Sequence, residues 1–307
     1  MSTRLVGAVV RARAAASRRV GSGRVPSLAA AAGLQDALSQ LAAGPYGHDV
    51  RPGQSLPRAQ HEVCATLVWN QRVLAGWLPP DGAQAMRLLA GWAEIANVEA
   101  LLRRFDGERD LPPAYRLGSL ATAWPRLAAC TDRPALRREL AGTAWGDPGG
   151  EDDHAFTLLL RLVWAARVRS GVPAASAWAA GAAALVLALD LGAGPHAHDA
   201  TVTAAVARVL GRDAAAATTI SELRTALTST ARWALADCDS PQDLWQAEAA
   251  WWLRVERDAT TMAASSSFDL TPVVGVVALL GVDAWRVRAA LELADRGGPA
   301  GAIHAVL

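Results

Sequence analysis

Lysine is absent from this chain of 307 residues, so all 30 of its basic residues are arginines. Without lysine, the sequence cannot contain a phosphate-binding loop of the GxxxxGK[ST] type, whose amine contacts the nucleotide phosphates. Cysteine is also scarce, because Cys64, Cys130 and Cys238 lie far apart and form no CxxC pair. This excludes a zinc site or a redox pair built on CxxC, and isolated thiols are typical of a reducing cytosol.

An excess of one charge is missing as well, since 30 arginines face 29 acidic residues. A protein that binds nucleic acid usually carries a basic excess or a basic stripe. Arginines do cluster near the N-terminus, and we interpret this cluster as a solvated helix face: Arg11, Arg13, Arg18, Arg19 and Arg24. We therefore expect no nucleic-acid partner.

Alternating runs of β-branched residues, the usual sign of strands, do not occur, and Ala, Leu, Arg and Glu dominate. Apolar residues instead recur every three or four positions, as in the stripe Leu88, Trp92, Ile95, Val98, Leu102 and Phe105. This periodicity predicts an all-α protein. The predicted helices cover 4–19, 27–43, 57–78, 82–105, 114–129, 133–142, 153–170, 172–190, 198–211, 219–236, 241–258 and 270–296. Gly281 marks a point where the last helix could break.

The first ten residues lack a long apolar stretch and a small-residue cleavage site, so we expect no signal peptide. Residues 171–189 form a run of 19 residues without a charge, which meets the length rule for a membrane span. Alanine dominates this run, and Pro173 and Gly181 interrupt it. We predict a buried core helix here, because small side chains let helices approach closely.

Two patterns could carry chemistry, and each has a structural alternative. His196 and His198 could bind a metal ion only with a third ligand, for which His154 is the candidate; we favour histidines of a surface loop. The acidic run 151–153 precedes a predicted helix, whose dipole stabilises each acid by about 0.3–1 kcal/mol. As a magnesium–diphosphate motif, this run would need a second carboxylate cluster, which the sequence does not offer. We expect no catalytic residue, no metal and no cofactor.

Tyrosine and phenylalanine are rare, with 2 and 3 residues, but the chain has 12 tryptophans. Trp251 and Trp252 are adjacent on a predicted helix, so their side chains point about 100° apart and cannot face one core. We predict that one is buried and that the other lies at a module boundary or a partner surface.

Sequence echoes indicate internal repetition. Residues 94–104 and 283–291 share an acid, then Asn97 or Arg286 three positions later, then valine, a charged residue and an apolar run. Residues 41–47 and 140–146 share the end of a helix, an aromatic residue and a closing glycine, and a weaker third echo lies at 223–233. Repetition at this scale indicates one helical module used more than once, and we predict three modules at 1–90, 91–200 and 201–307.

The first echo resembles the recurring helix of one family of rotor proteins from V-type and archaeal A-type ATPases, designated C in archaea and d in eukaryotes. The residues that match it are Glu94, Asn97, Val98, Leu101, Leu102 and Arg103. The family's Pro-aliphatic-Gly segment before the last helix is similar to residues 272–275, and its N-terminal motifs are similar to 10–12 and 44–47. The resemblance runs from residue 8 to about residue 298, with departures at Glu99, Arg286 and 297–299.

The resemblance implies three similar helical bundles arranged pseudo-threefold as a funnel with a central cavity. It also implies a non-catalytic rotor adaptor that couples the central stalk to the membrane proteolipid ring during ATP-linked proton or sodium transport. Such a protein would lie peripherally on the cytoplasmic face of the cell membrane and contact the stalk proteins and the ring. The candidate partner-binding residues are arginines of the repeated helices: Arg11, Arg13, Arg103, Arg104 and Arg288.

Two other functions fit the same sequence. A free-standing helical scaffold could use the same module without belonging to an ATPase. A metal-dependent helical enzyme could instead be built around residues 151–153. Solvated or intramolecular ion pairs are the alternative role of the five candidate arginines.

Overall fold

The computed structural model describes residues 3–149, 152–194, 198–267, 269–297 and 303, and the side chains from residue 5 onward. Within these residues, 72% of the structure is helical and no strand occurs, which confirms the all-α prediction. The first eight helices are α1 (Thr3–Ala16), α2 (Val25–Ala29), α3 (Leu34–Ala42), α4 (Leu56–Trp77), α5 (Pro80–Leu89), α6 (Gly91–Phe105), α7 (Trp124–Leu127) and α8 (Arg133–Ala141). The next eight are α9 (Asp153–Gly171), α10 (Ser176–Gly192), α11 (Ala200–Leu210), α12 (Arg212–Ala215), α13 (Ile220–Ala226), α14 (Ser229–Arg232), α15 (Leu244–Ala264) and α16 (Thr271–Arg296).

The chain packs into two compact units, one of residues 1–83 and 252–307 and one of residues 84–251. In the first unit, α16 is the central element and contacts α1, α2, α3 and α4. Its buried positions include Val273, Val276, Val287 and Leu291, so its core side consists mainly of branched aliphatic residues. Burial of this apolar surface is the main favourable term that holds these helices together. The three-module division stays a prediction.

The second unit is organised around α9, which contacts α6, α10 and α11. Leu158, Leu159 and Leu162 of α9 pack into one cluster with α10 and α11, while Phe156 and Leu160 pack into another with α6 and α8. The helix that extends from the 3₁₀ turn at Pro173 through Gly192 is long and apolar enough to cross a membrane, and 61% of its apolar window is buried within the protein. Its alanines Ala180, Ala183, Ala184 and Ala188 belong to the first cluster.

One succession of elements occurs three times along the chain. A short helix, a second helix, an aromatic residue and a long helix follow one another in each copy. The copies comprise α2, α3, Tyr46 and α4; α7, α8, Trp145 and α9; and α12, α13, Trp233 and α15. Each long helix leads to a further helix, which is α6 (after α5), α10 or α16. The predicted echoes fall within this repeated order.

The largest error of the helix prediction is the segment 114–129, of which only α7 and a 3₁₀ turn at Gly118–Leu120 are helical. The backbone of this segment bonds to side chains of α6 instead of to itself. Asn97 bonds both the N–H and the carbonyl of Tyr115, and Glu94 accepts the N–H groups of Thr122 and Ala123. Since these partners satisfy the backbone groups, the segment gains nothing by forming a helix.

Three other predicted helices are interrupted. Residues 27–43 divide into α2 and α3, and residues 219–236 divide into α13, α14 and a 3₁₀ turn, with Leu227 extended between them. The helix 82–105 divides into α5 and α6 because the indole N–H of Trp164 donates to the carbonyl of Leu88, which a continuous helix would use itself. In contrast, α16 continues through Gly281 without a break.

Trp251 and Trp252 pack in different units. The indole N–H of Trp251 donates to the carbonyl of Trp178 at 3.0 Å, whereas Trp252 stacks on Trp285 with ring centroids 5.4 Å apart. Both side chains are partly buried. The predicted divergence of the two side chains is therefore confirmed, but the prediction that only one of them is buried is wrong, because the unit boundary falls between them.

Two glycines of α16 offer a matched test of packing. A Cβ atom at Gly275 would lie 2.7 Å from the carbonyl oxygen of Ala259 and the nitrogen of Ala263, whereas at Gly281 the nearest atom is Trp252 Cζ3 at 3.9 Å. We expect Gly275→Ala to lower the free energy of unfolding by about 2–3 kcal/mol, because backbone atoms must move. Gly281→Ala should raise it by about 0.5–1 kcal/mol through better helix propensity. Urea unfolding followed by circular dichroism measures both, and equal signs would contradict this packing.

Candidate functional site

A buried carboxylate on α16 binds the N-terminal part of the chain. Asp283, which is only 4% exposed, accepts hydrogen bonds from the backbone N–H of Val20 at 3.1 Å and of Gly21 at 2.7 Å. Its third donor is the phenol of Tyr46 at 2.9 Å. Because all three donors are more than 200 residues away in sequence, this carboxylate fixes the first loop to the last long helix.

A second buried carboxylate repeats this arrangement on α6. Glu94 is 1% exposed and accepts the backbone N–H groups of Thr122 at 2.6 Å and Ala123 at 2.7 Å. The indole N–H of Trp145 donates to the same carboxylate at 2.9 Å. Hydrogen bonds to a buried, ionised acceptor are among the stronger ones, at roughly 1.5–3 kcal/mol each.

We call each set of one acid, two consecutive backbone N–H groups and one aromatic donor a carboxylate clamp. The sequence analysis found the acids in one echo and the aromatic residues in another, but it did not predict that they touch. The structure pairs them: Asp283 with Tyr46, and Glu94 with Trp145. The N–H pairs at 20–21 and 122–123 had no sequence signal, because a backbone donor needs no particular side chain.

The third copy keeps the aromatic packing without the acid. A Cβ at Gly91 would meet the rings of Trp164 and Trp145, and a Cβ at Gly181 of α10 would meet those of Trp251 and Trp233. Three residues after these glycines stand Glu94 and, on α10, an alanine. The weak echo at 223–233 thus corresponds to an aromatic residue that packs as Trp145 does.

The clamp at Asp283 adjoins a cavity of about 180 Å³. Its lining includes Tyr46, Thr66, Leu67, Leu280 and Asp283. Leu280 precedes Asp283 by three positions, as Gly91 precedes Glu94, and in the latter clamp the indole of Trp164 packs on the glycine. The space beside Asp283 therefore corresponds to the place that an indole fills in the other clamp.

The residue that follows each clamp acid by three positions also binds a distant segment. Asn97 holds the backbone of Tyr115, whereas Arg286 forms a two-pronged ion pair with Glu256 of α15, one contact of which is 2.8 Å. Arg286 is 2% exposed, so its charge depends on Glu256 for compensation. The departure at Arg286 therefore exchanges a backbone contact for an ion pair.

Burial is the main cause that raises the pKa of Tyr46 well above its usual value, and the charge of Asp283 and its hydrogen bond add to it. The neutral phenol therefore contributes stability that is complete below about pH 10 and is lost as the pH rises through the folded-state pKa. We expect Tyr46 to ionise only as the protein unfolds. In Tyr115→Phe, where Tyr46 is the remaining tyrosine, tyrosinate absorbance should rise together with loss of ellipticity.

The same absorbance titration in urea is the control, because an unfolded tyrosine ionises near pH 10. An absorbance increase near pH 10 with unchanged ellipticity would contradict the clamp. Tyr46→Phe on the wild-type background should lessen the alkaline loss of stability.

The five candidate partner-binding arginines all have exposed side chains: Arg11, Arg13, Arg103, Arg104 and Arg288. The guanidinium of Arg11 lies 3.9 Å from the ring centroid of Trp77, and Arg13 donates to the carbonyl of Ser265 at 2.8 Å. Arg103 lies 3.8 Å from Glu108. Their exposure leaves them accessible to a partner, and their role in partner binding stays a prediction.

The candidate metal-site histidines meet at a buried acid that the sequence analysis missed. Nε2 of His154 lies 2.5 Å and Nε2 of His198 lies 2.6 Å from the two oxygens of Asp190, which is 3% exposed. His196 lies outside the described residues. Among the residues that are described, no group of His, Cys, Asp and Glu could hold a metal ion. The arrangement joins the start of α9 to the end of α10.

The acidic run before α9 has structural roles where it is described. Asp152 accepts the backbone N–H groups of His154 and Ala155 and so caps the helix. Asp153 binds Arg133 through both carboxylate oxygens, with the Nε contact at 2.8 Å. Residue 151 lies outside the described part of the chain. These contacts agree with the predicted role of acids at a helix N-terminus.

Comparison of the sequence with models of known protein families gives no match, and comparison with curated proteins gives none either. The functional argument therefore depends on the repeated contacts described above.

Proposed function

We propose that this chain is the central-rotor adaptor of a V/A-type rotary ATPase, which couples the central stalk to the proteolipid ring and catalyses no reaction itself. The observation that carries the proposal is the recurrence of one packing arrangement: an aromatic residue from each of three copies of the same helix succession lies against a long helix. The three-bundle funnel with a central cavity is part of this proposal.

The connectivity of the copies supports this arrangement. Trp145 and Trp233 lie against α6 and α10, the long helices that precede them in the chain. Tyr46 belongs to the first copy and has no preceding long helix, so it binds Asp283 on the last helix, α16. A series in which each copy uses the helix before it, and the first uses the last, is what three modules around one axis require.

A coupling protein must resist deformation, because torque is lost in a soft connection. The buried hydrogen bonds of the two clamps and the Arg286–Glu256 pair tie together segments that are distant in sequence. We propose that exposed arginines of the repeated helices contact the stalk proteins or the ring: Arg11, Arg13, Arg103, Arg104 and Arg288. The chain would then be held peripherally at the cytoplasmic face of the membrane by the ring.

Purification of a tagged chain from the membranes of its own cells in mild detergent tests the proposal. We expect stalk proteins and proteolipid to copurify, and Arg103→Glu with Arg104→Glu to reduce their recovery severalfold. Arg212→Glu, another exposed arginine, is the control and should leave recovery unchanged. Recovery of the chain without other ATPase components would overturn the adaptor function and favour a free-standing scaffold. A melting temperature raised by magnesium and lowered in response by Asp152→Ala with Asp153→Ala would favour the enzyme.

A further inference from the structure

The outer side of α1 combines exposed apolar side chains with arginines. Val6 and Val10 are 42% and 62% exposed and lie one helical turn apart. Trp77, the last residue of α4, is 44% exposed and packs beside Gly7, while Arg11 lies over its ring. We call Val6, Val10, Arg11, Arg13 and Trp77 the α1 surface.

The charge around this surface is of one sign. Residues 1–35 contain six arginines and no acidic residue. Arg11 and Arg13 of the helix itself are exposed, and Arg13 reaches the carbonyl of Ser265 rather than a carboxylate. The nearest acid along the chain from Trp77 is Asp81, which is exposed at the start of α5. The α1 surface can therefore attract an anionic partner without first breaking a carboxylate ion pair.

We propose that the α1 surface binds an anionic phospholipid bilayer. A basic helix that exposes apolar residues lies in the headgroup region with its apolar side turned to the acyl chains. Tryptophan is enriched at that depth because its ring is apolar and its N–H is polar, and arginines nearby are attracted to anionic headgroups. An acidic protein would satisfy the arginines, but it would not by itself require Val6, Val10 and Trp77 at the same place. This inference does not depend on the proposed function.

Cosedimentation of the purified chain with vesicles tests the proposal. The vesicles contain two parts phosphatidylcholine to one part phosphatidylglycerol, or phosphatidylcholine alone. We expect binding to the anionic vesicles at low salt, at least tenfold weaker binding to the neutral ones, and strong weakening at about 0.5 M salt, where charges are screened within a few ångströms. Absence of binding to anionic vesicles at low salt would overturn the proposal.

Two matched pairs of variants locate the contact. Arg11→Glu with Arg13→Glu should weaken binding to anionic vesicles more than tenfold, whereas Arg103→Glu with Arg104→Glu makes the same charge change on α6 and should leave it within twofold. Val6→Ser with Val10→Ser should weaken binding severalfold, whereas Leu189→Ser with Leu253→Ser, at other exposed positions, should not. Equal losses within either pair would overturn the assignment to α1. Circular dichroism confirms that each variant is folded, and vesicle binding without copurification of other ATPase components would refute the rotor function alone.

Discussion

Glu94→Ala is expected to lower the free energy of unfolding by about 3–5 kcal/mol. The substitution leaves the N–H groups of Thr122, Ala123 and Trp145 buried without their acceptor, and each such donor costs about 1–3 kcal/mol. A loss of this size is a large fraction of the roughly 5–15 kcal/mol that stabilises a typical domain. Urea unfolding, followed by tryptophan fluorescence and circular dichroism, measures the change.

Two variants separate the clamp from general effects on α6. Glu94→Gln keeps one carbonyl acceptor and should cost less, about 2 kcal/mol. Glu99→Ala removes a partly exposed acid of the same helix, which pairs with Arg161, and should cost less than about 1 kcal/mol. If Glu94→Ala and Glu99→Ala had equal effects, the hydrogen bonds of Glu94 would not be the stabilising feature we infer.

Glu256→Ala is expected to destabilise the protein by about 3 kcal/mol, and Arg286→Met by about 1 kcal/mol or less. The asymmetry follows from burial, because the side chain of Arg286 is 3% exposed and that of Glu256 is 26% exposed. Removal of the acid leaves a buried guanidinium without compensation, whereas removal of the arginine leaves an acid that water can reach. Thermal and urea unfolding of both variants give the comparison.

The double variant Glu256→Ala with Arg286→Met provides the decisive control. It should be more stable than Glu256→Ala alone, because the uncompensated charge is gone. Arg254→Ala, which removes the exposed partner of Asp258 on the same helix, should cost less than about 0.5–1 kcal/mol. A double variant less stable than Glu256→Ala would show that the arginine contributes mainly through packing of its alkyl chain.

Local sequence signals predicted what depends on residues close in the chain. The apolar stripe from Leu88 to Phe105 predicted the buried side of α6, where Ile95, Val98 and Leu102 belong to one core cluster. Ser240 and Asp243 were predicted to begin a helix, and Asp243 accepts both the N–H and the hydroxyl of Ser240 there. Such caps join residues three or four positions apart, so the sequence contains all of the interaction.

The errors occur where a distant side chain replaces the local partner. Thr271 was predicted to cap α16, but it is the first residue of that helix, and its N–H donates to Asp269. Asp190 was missed because it stands in an apolar run as a single acid, and only the approach of His154 and His198 reveals its role. The resemblance to a rotary ATPase rotor protein stays a prediction, and so does the function that it implies.

The sequence by itself determined that this protein is helical, that a module recurs, and which residue types recur with it, because helix propensity, apolar period and internal similarity are all properties of the chain. Only the tertiary structure decided that the two echoes meet, with each acid bound by the aromatic residue of the other echo and by two backbone N–H groups. The physical reason is that a buried carboxylate needs several donors at once. Backbone donors are present at nearly every residue, so no sequence pattern distinguishes the ones that a fold will bring within reach.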